Sequence, residues 1–225
     1  MTRQPDVPDL GSGGALEHAM LATAFRLLLG SGRPVRPARL AEALASDPER
    51  VERILERLDS QGRIRRDQTG AVTGSHGLSV TPTRHELILQ PASRQGPGQQ
   101  RRFWTWCAWD AVGILAALDA SGRIRSTSPS SDARIELDFD RGSPRQADPD
   151  LVVFFADTDC CTPATNSGGS CGSGSVIDVW CPLVNFFENA DAATAWAAEH
   201  GARGSAVPLV EAIRQGRAAW RQWIA

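Results

Sequence analysis

The run Asp47–Gly74, DPERVERILERLDSQGRIRRDQTGAVTG, decides how the first half of the chain folds. Its opening, DPERVERILERLDSQG, has apolar residues at helical spacing and reads as a helix capped by Asp47, with Pro48 in its first turn. Its remainder, RIRRDQTGAVTG, reads as an extended run joined through a glycine-containing turn to a second one, GLSVTPTRHELIL, so the two predict a hairpin. Upstream, ALEHAMLATAFRLLLG stops at Gly30 and RPVRPARLAEALAS follows it, both at helical spacing. Three helices followed by a hairpin predict a winged-helix-like domain over residues 15–90. Residues 1–14, rich in Pro, Gly, Asp and Ser, are expected to form a disordered arm.

Residues 91–102 are rich in Pro, Gly and Gln and read as a linker. Beyond it, 103–225 predicts a second α+β domain. FWTWCAWDAVGILAAL (Phe103–Leu118) reads as a tryptophan-rich helix, and GRIRSTSP, ARIELDFD, DLVVFFAD and SVIDVWCPLVNFF read as strands. DAATAWAAEHG and VPLVEAIRQGRAAWRQWIA close the chain as helices. The expected fold class is α+β, a winged-helix-like three-helix domain followed by a small mixed β-sheet with packed helices. An inserted Cys/Gly/Ser-rich loop, 157–175, is too polar for a core.

The chain has 225 residues, 41% of them hydrophobic, and a formal net charge of -2. That length carries one substantial core or two small ones, and that charge supplies no bulk field for nucleic acid or an anionic membrane. No secretory h-region stands at the start, and Arg26 interrupts the most apolar early segment, so a cytoplasmic protein with no membrane partner is expected. The 5 cysteines, Cys107, Cys160, Cys161, Cys171 and Cys181, form no C-x-x-C pairs, which fits neither a disulfide framework nor a zinc ribbon.

Chemistry concentrates at the tryptophan-rich run. On a helix, positions three apart share a face, so Cys107 and Asp110 can meet at one spot within apolar surroundings. Burial raises both pKa values, which sets a proton donor beside a nucleophile. A simpler reading makes Cys107 an inert buried thiol and Asp110 a solvent-facing carboxylate. Cys181 precedes Pro182, which places it at a sheet margin or bend. Two thiols converging on one carboxylate would suit a soft, thiophilic metal, although spacing alone does not bring them together. His18, His76, His85 and His200 are scattered and carry no assigned role, with His85 expected at the surface. Trp196, Trp220 and Trp223 read as core.

RRFWTWCAWD, WCPLVNFF followed by TAWAAEHG, and GAVTGSHGLSVTPTRHEL together resemble the organomercurial (alkylmercury) lyases, from about Ala22 to near Ala212. The most specific part is the aromatic-flanked C-x-x-D with a second cysteine ahead of Phe186–Phe187. The resemblance implies protonolysis of a carbon–mercury bond to a hydrocarbon and Hg(II), with Cys107, Asp110 and Cys181 as the catalytic set and no cofactor. Cys107 and Cys181 would bind mercury, and the Hg(II) product would pass to thiols or to a mercuric reductase. The sequence departs from the family pattern in three places. Pro182 stands where a cysteine usually follows the one matched by Cys181, Ser128 stands for a further cysteine, and the 157–175 loop is longer. Its thiols, Cys160, Cys161 and Cys171, are candidates for relaying mercury.

Two other readings use the same residues. A soft-metal-sensing transcriptional regulator would use the winged helix on DNA. However, Glu49, Glu52 and Glu56 interleave with Arg50, Arg53 and Arg57, so too little positive charge remains for tight phosphate contact. A relative that only binds soft metal would need the thiols but not Asp110.

Overall fold

The computed structural model describes residues 14–90, 100–146, 148–157 and 176–224. The chain begins with α1 (Ala15–Ser31), α2 (Pro37–Ala43) and α3 (Pro48–Ser60). In α3, Val51, Ile54, Leu55 and Leu58 are buried and the charged residues between them face outward. Asp47 caps it by accepting the Arg50 N–H at 2.9 Å, which satisfies one of the donors a helix start leaves open. Arg53 pairs with Glu49, Arg57 with Glu17 and Arg66 with Glu52, so carboxylates offset much of the positive charge on this face.

The strands β1 (Ile64–Arg66), β2 (Val72–Ser75), β3 (Leu78–Ser79), β4 (His85–Leu89), β5 (Arg101–Thr105), β6 (Gly122–Thr127), β7 (Arg134–Asp140) and β8 (Ser143–Pro144) form one sheet, in the order β1-β2-β3-β5-β4-β6-β7-β8. The hairpin lies one step earlier than expected. RIRRDQTGAVTG is itself β1, a turn and β2, and Asp67 holds the turn by accepting from Thr69 and Ala71 backbone N–H groups. A second turn of two residues, His76 and Gly77, both with positive φ, joins β2 to β3, the pairing that suits the right-handed twist of a hairpin. The run GLSVTPTRHELIL then splits, because β4 pairs with β5 and β6 and not with β3. The sheet therefore continues from the N-terminal region into the C-terminal one.

A second sheet has the order β10-β9-β11, from β9 (Val152–Ala156), β10 (Asn185–Phe187) and β11 (Gly204–Pro208). Every pairing among the described residues is antiparallel, where a mixed sheet was expected. Between the sheets runs α4 (Ala108–Ala117), buried on all sides. It packs against α7 (Leu209–Ile224) where two glycines meet, and a Cβ built on Gly216 would sit 2.6 Å from the Gly113 Cα. α5 (Val176–Val179) and α6 (Ala190–Glu199) complete the seven helices of the described residues, an α+β fold. None is long and apolar enough to cross a membrane.

Three further expectations change. The predicted helix Phe103–Leu118 is β5 up to Thr105, with α4 starting at Ala108, because Thr105 Oγ1 donates to the Cys107 carbonyl and Cys107 caps the helix. SVIDVWCPLVNFF is strand only at Asn185–Phe187. Val176–Val179 is helical and Cys181–Leu183 forms a 3-10 turn, with Pro182 in its first turn, where its missing N–H costs nothing. His85, expected at the surface, is 2% exposed, its Nδ1 2.9 Å from Ser126 Oγ and its ring edge-on to Phe186. Trp196, Trp220 and Trp223 are buried, as their apolar spacing suggests. The segments 1–13, 91–99 and 158–175, with Cys160, Cys161 and Cys171, lie outside the described residues.

Candidate active site

Cys107 and Asp110 meet through a helix cap and not across a helix face. Cys107 is the N-cap of α4, in extended backbone, and its Sγ accepts the Asp110 N–H at 3.4 Å. Asp110 returns the bond, Oδ2 accepting the Cys107 N–H at 2.9 Å. This is a capping box with sulfur in the place of a serine or threonine hydroxyl. It locks both side chains at the positive end of the helix dipole.

Cys181 arrives from the other side of the fold. The 3-10 turn that carries it is tied to the start of α4 by the Ala108 N–H, which donates to the Val184 carbonyl at 3.1 Å. The Asn185 side-chain amide donates to the Pro182 carbonyl at 2.7 Å and fixes the turn from within. The Sγ atoms of Cys107 and Cys181 and a carboxylate oxygen of Asp110 all lie within 4.8 Å of one another. The three residues are buried, and both cysteines are free. A solvent-facing Asp110 is therefore ruled out.

Burial dominates the ionisation of this cluster. It pushes the Asp110 carboxyl up to about 7, against the opposing hydrogen bonds from the Cys107 side chain and backbone. Burial also drives the Cys107 thiol well up, and its hydrogen bond to Cys181 and the nearby Asp110 charge add to the rise. For Cys181 the largest influence is the Cys107 hydrogen bond, which lowers its pKa, but burial and Asp110 outweigh it and the net shift is upward. Among the described residues no cation pairs with Asp110, so its proton is held by desolvation.

A cleft of about 500 Å³, its open mouth included, reaches the cluster. Asp110 and Cys181 line it, with Trp106, Trp109 and Trp180 as aromatic walls and Gly62, Arg63, His76, Gly77 and Val176 around them. Cys107, fully buried, sits behind. The N-terminal region thus supplies Gly62, Arg63, His76 and Gly77 to a site whose reactive groups come from the C-terminal region. Gly77 presses directly on the acid. Its φ is +80°, and a Cβ there would lie 2.3 Å from Asp110 Cγ and Oδ1. Sequence reasoning missed His76 and Gly77. The available signal was the pair HG between two β-like runs, which suits a two-residue turn. Burial likewise holds the His76 imidazole neutral, pushed down to about 3, with Arg63 and His18 adding to the effect.

The family model described as alkylmercury lyase matches residues 78–221. An alkylmercury lyase of Streptomyces lividans is 27% identical over 207 residues, covering 92% of this chain and 85% of that protein. One of Pseudomonas putida is 28% identical over 195 residues, covering 85% and 79%. A solved structure of the mercury-bound form of MerB2 aligns at a TM-score of 0.75 and 20% identity, covering 96% of this chain and 95% of that one, and so shares the fold. With the family pattern running through both the acid-bearing helix and the turn of the second thiol, the chain belongs to the alkylmercury lyase family.

Proposed function

We propose that Cys107, Asp110 and Cys181 carry out the reaction of an organomercurial lyase, protonolysis of a carbon–mercury bond to a hydrocarbon and Hg(II). The observation that carries this reading is a buried carboxyl, with no cation paired to it among the described residues, within 4.8 Å of two free thiols. Binding soft metal needs thiolates, whereas breaking a carbon–mercury bond also needs a proton delivered to carbon.

The Cys181 thiol faces the cleft and yields its proton to Asp110, the thiolate attacks mercury, and the displaced ligand leaves with that proton, handed on by Asp110, which returns to the carboxylate. Cys107 then gives up its own proton to Asp110 as its sulfur joins mercury. Two sulfur donors raise the electron density on mercury and weaken its bond to carbon. Asp110 delivers its proton to that carbon, the hydrocarbon departs, and Hg(II) remains on the two sulfurs. The tryptophan walls hold the organic group and keep water away from the proton transfer.

The winged-helix-like region, 15–90, serves in this reading as one wall of the cleft and not as a DNA reader. Its paired arginines and the contributions of Gly62, Arg63, His76 and Gly77 to the cleft support that role. Reduced thiols are required, which suits the cytoplasm. The Hg(II) product would leave by exchange to small thiols or to a mercuric reductase, because bound mercury leaves one thiolate when another attacks. The test is incubation with phenylmercury and excess thiol. Repeated turnover to benzene supports the lyase, and mercury binding without benzene overturns it.

A further inference from the structure

The cleft has walls from distant parts of the chain, and an ion pair joins two of them. Gly62 and Arg63 line it directly ahead of β1, and Val176, the first residue of α5, lines it from the C-terminal region. Arg65 of β1 pairs with Asp178 of α5, so the link lies two positions along the chain from Arg63 on one side and from Val176 on the other.

The two walls differ in firmness. β1 is fixed by its pairing with β2 and by Ile64, which is fully buried. α5 is a single turn of four residues, none of them buried, and a helix that short has no stability of its own. The Trp180 N–H donates to the Val176 carbonyl at 3.1 Å and closes the turn. Firm anchors follow α5: Trp180 is buried with its Nε1–H donating to the Ala156 carbonyl at 2.8 Å, and bonds from Ala108 and Asn185 hold the turn of Cys181. The reactive thiol is therefore seated by its own contacts, whereas the pair with Arg65 holds α5, and with it Val176, to the opposite wall. The side chains of Arg65 and Asp178 are 32% and 60% exposed, so this tie is solvated, modest in strength and screened by salt.

We propose that Arg65 and Asp178 determine the size of substrate accepted: their ion pair sets the spacing between the Arg63 and Val176 walls, and so the bulk of the organic group that reaches the thiols. The assignment rests on the lyase reading. Both charges are also felt at Cys181. Behind the Cys107 hydrogen bond, burial and the Asp110 charge, Arg65 lowers the Cys181 pKa and Asp178 raises it. That influence acts alike on every organomercurial, so a comparison between two substrates removes it.

The test compares kcat/KM for phenylmercury and the broader 1-naphthylmercury in the wild type, in Arg65→Gln, in Asp178→Asn and in the charge exchange that combines Arg65→Asp with Asp178→Arg. The ratio of the two substrates cancels any change in folding or active fraction. The wild type is expected to favour phenylmercury, and each single variant to reduce that preference by about three- to fivefold, the factor a half-exposed ion pair supplies. The charge exchange restores the preference, which a general loosening of the fold would not do. Salt acts in the same direction: about 0.5 M of a salt whose anion does not bind mercury lowers the preference of the wild type and leaves that of Asp178→Asn unmoved. The same ratio in wild type and single variants overturns the proposal while leaving the lyase intact. If the variants fold too poorly to turn over, the wild type decides alone, and a preference that salt does not move overturns the proposal. Absence of hydrocarbon from both compounds in the wild type strikes the lyase reading instead.

Discussion

The outer face of the large sheet and the buried start of α4 both carry aspartates, and the two environments do opposite things to them. On the sheet, Asp138 accepts from Arg123 at 2.7 and 3.0 Å, and that bond lowers its pKa. Glu86, Arg102, Arg125 and Glu136 extend the ladder of opposite charges across β5, β4, β6 and β7. At α4, Asp110 meets two thiols and a glycine turn, has no such partner among the described residues, and is pushed up to about 7. The residue type is the same, so desolvation and the charge of the neighbours decide which carboxylate is inert and which can hand over a proton near neutral pH. The outer ladder is solvated and screened, and each of its pairs contributes little.

The largest way to break the contrast is to remove a thiol. Cys107→Ser and Cys181→Ser should each lower turnover of phenylmercury by at least ~1000-fold, because mercury then lacks the second sulfur that loosens its bond to carbon. Steady-state benzene release checks this, and retention of near wild-type turnover by either variant would remove that cysteine from the mechanism. Gly77→Ala comes next. Its methyl group would collide with the Asp110 carboxyl, 2.3 Å from Cγ, so activity should fall by about 100-fold while both thiols remain titratable by a chromogenic disulfide.

A smaller effect concerns stability. The folded-state pKa of Asp110, about 7, exceeds its ordinary value of 3.8, so between about pH 4 and pH 7 the folded state binds the extra proton. Stability from this group is therefore fully present below about pH 4 and is lost as pH rises through 7, whereas cleavage, which needs the carboxylate to take a thiol proton, should rise through the same region. Asp110→Asn should thus stabilise the protein at pH 7 by up to about 4 kcal/mol, read from denaturant unfolding, and flatten the dependence on pH. Least of all, Asp138→Asn should leave turnover unchanged and move the melting temperature by no more than about 3 °C.

The parts of this molecule legible in the sequence are those set by local rules. Asp47 with Pro48 marks the start of α3, and the apolar spacing of α7 places Trp220 and Trp223 in the core. The residues of the candidate site were legible because a C-x-x-D among tryptophans is distinctive, although the geometry that joins them was not. A helix-face argument brought Cys107 beside Asp110, and the structure does so through a cap, since Thr105 and the pairing of β5 end the strand just before. SVIDVWCPLV looked like a strand because its Val, Ile and Trp favour one, but Pro182 and the Asn185 bond fold it into turns. His85 and His76 are buried by partners distant in sequence, Ser126 and Phe186 for one and Trp223 for the other, which no local window contains.

The central claim is that Asp110 supplies the proton that breaks the carbon–mercury bond. Single-turnover mixing of Asp110→Asn with phenylmercury tests it most directly, following tryptophan fluorescence for mercury capture and benzene for cleavage. Capture should still go to completion on the thiols, more slowly than in wild type because the amide takes no thiol proton, while benzene release slows by about 100- to 10,000-fold. Benzene appearing at the wild-type rate would contradict the account and require a thiol or water to protonate the carbon.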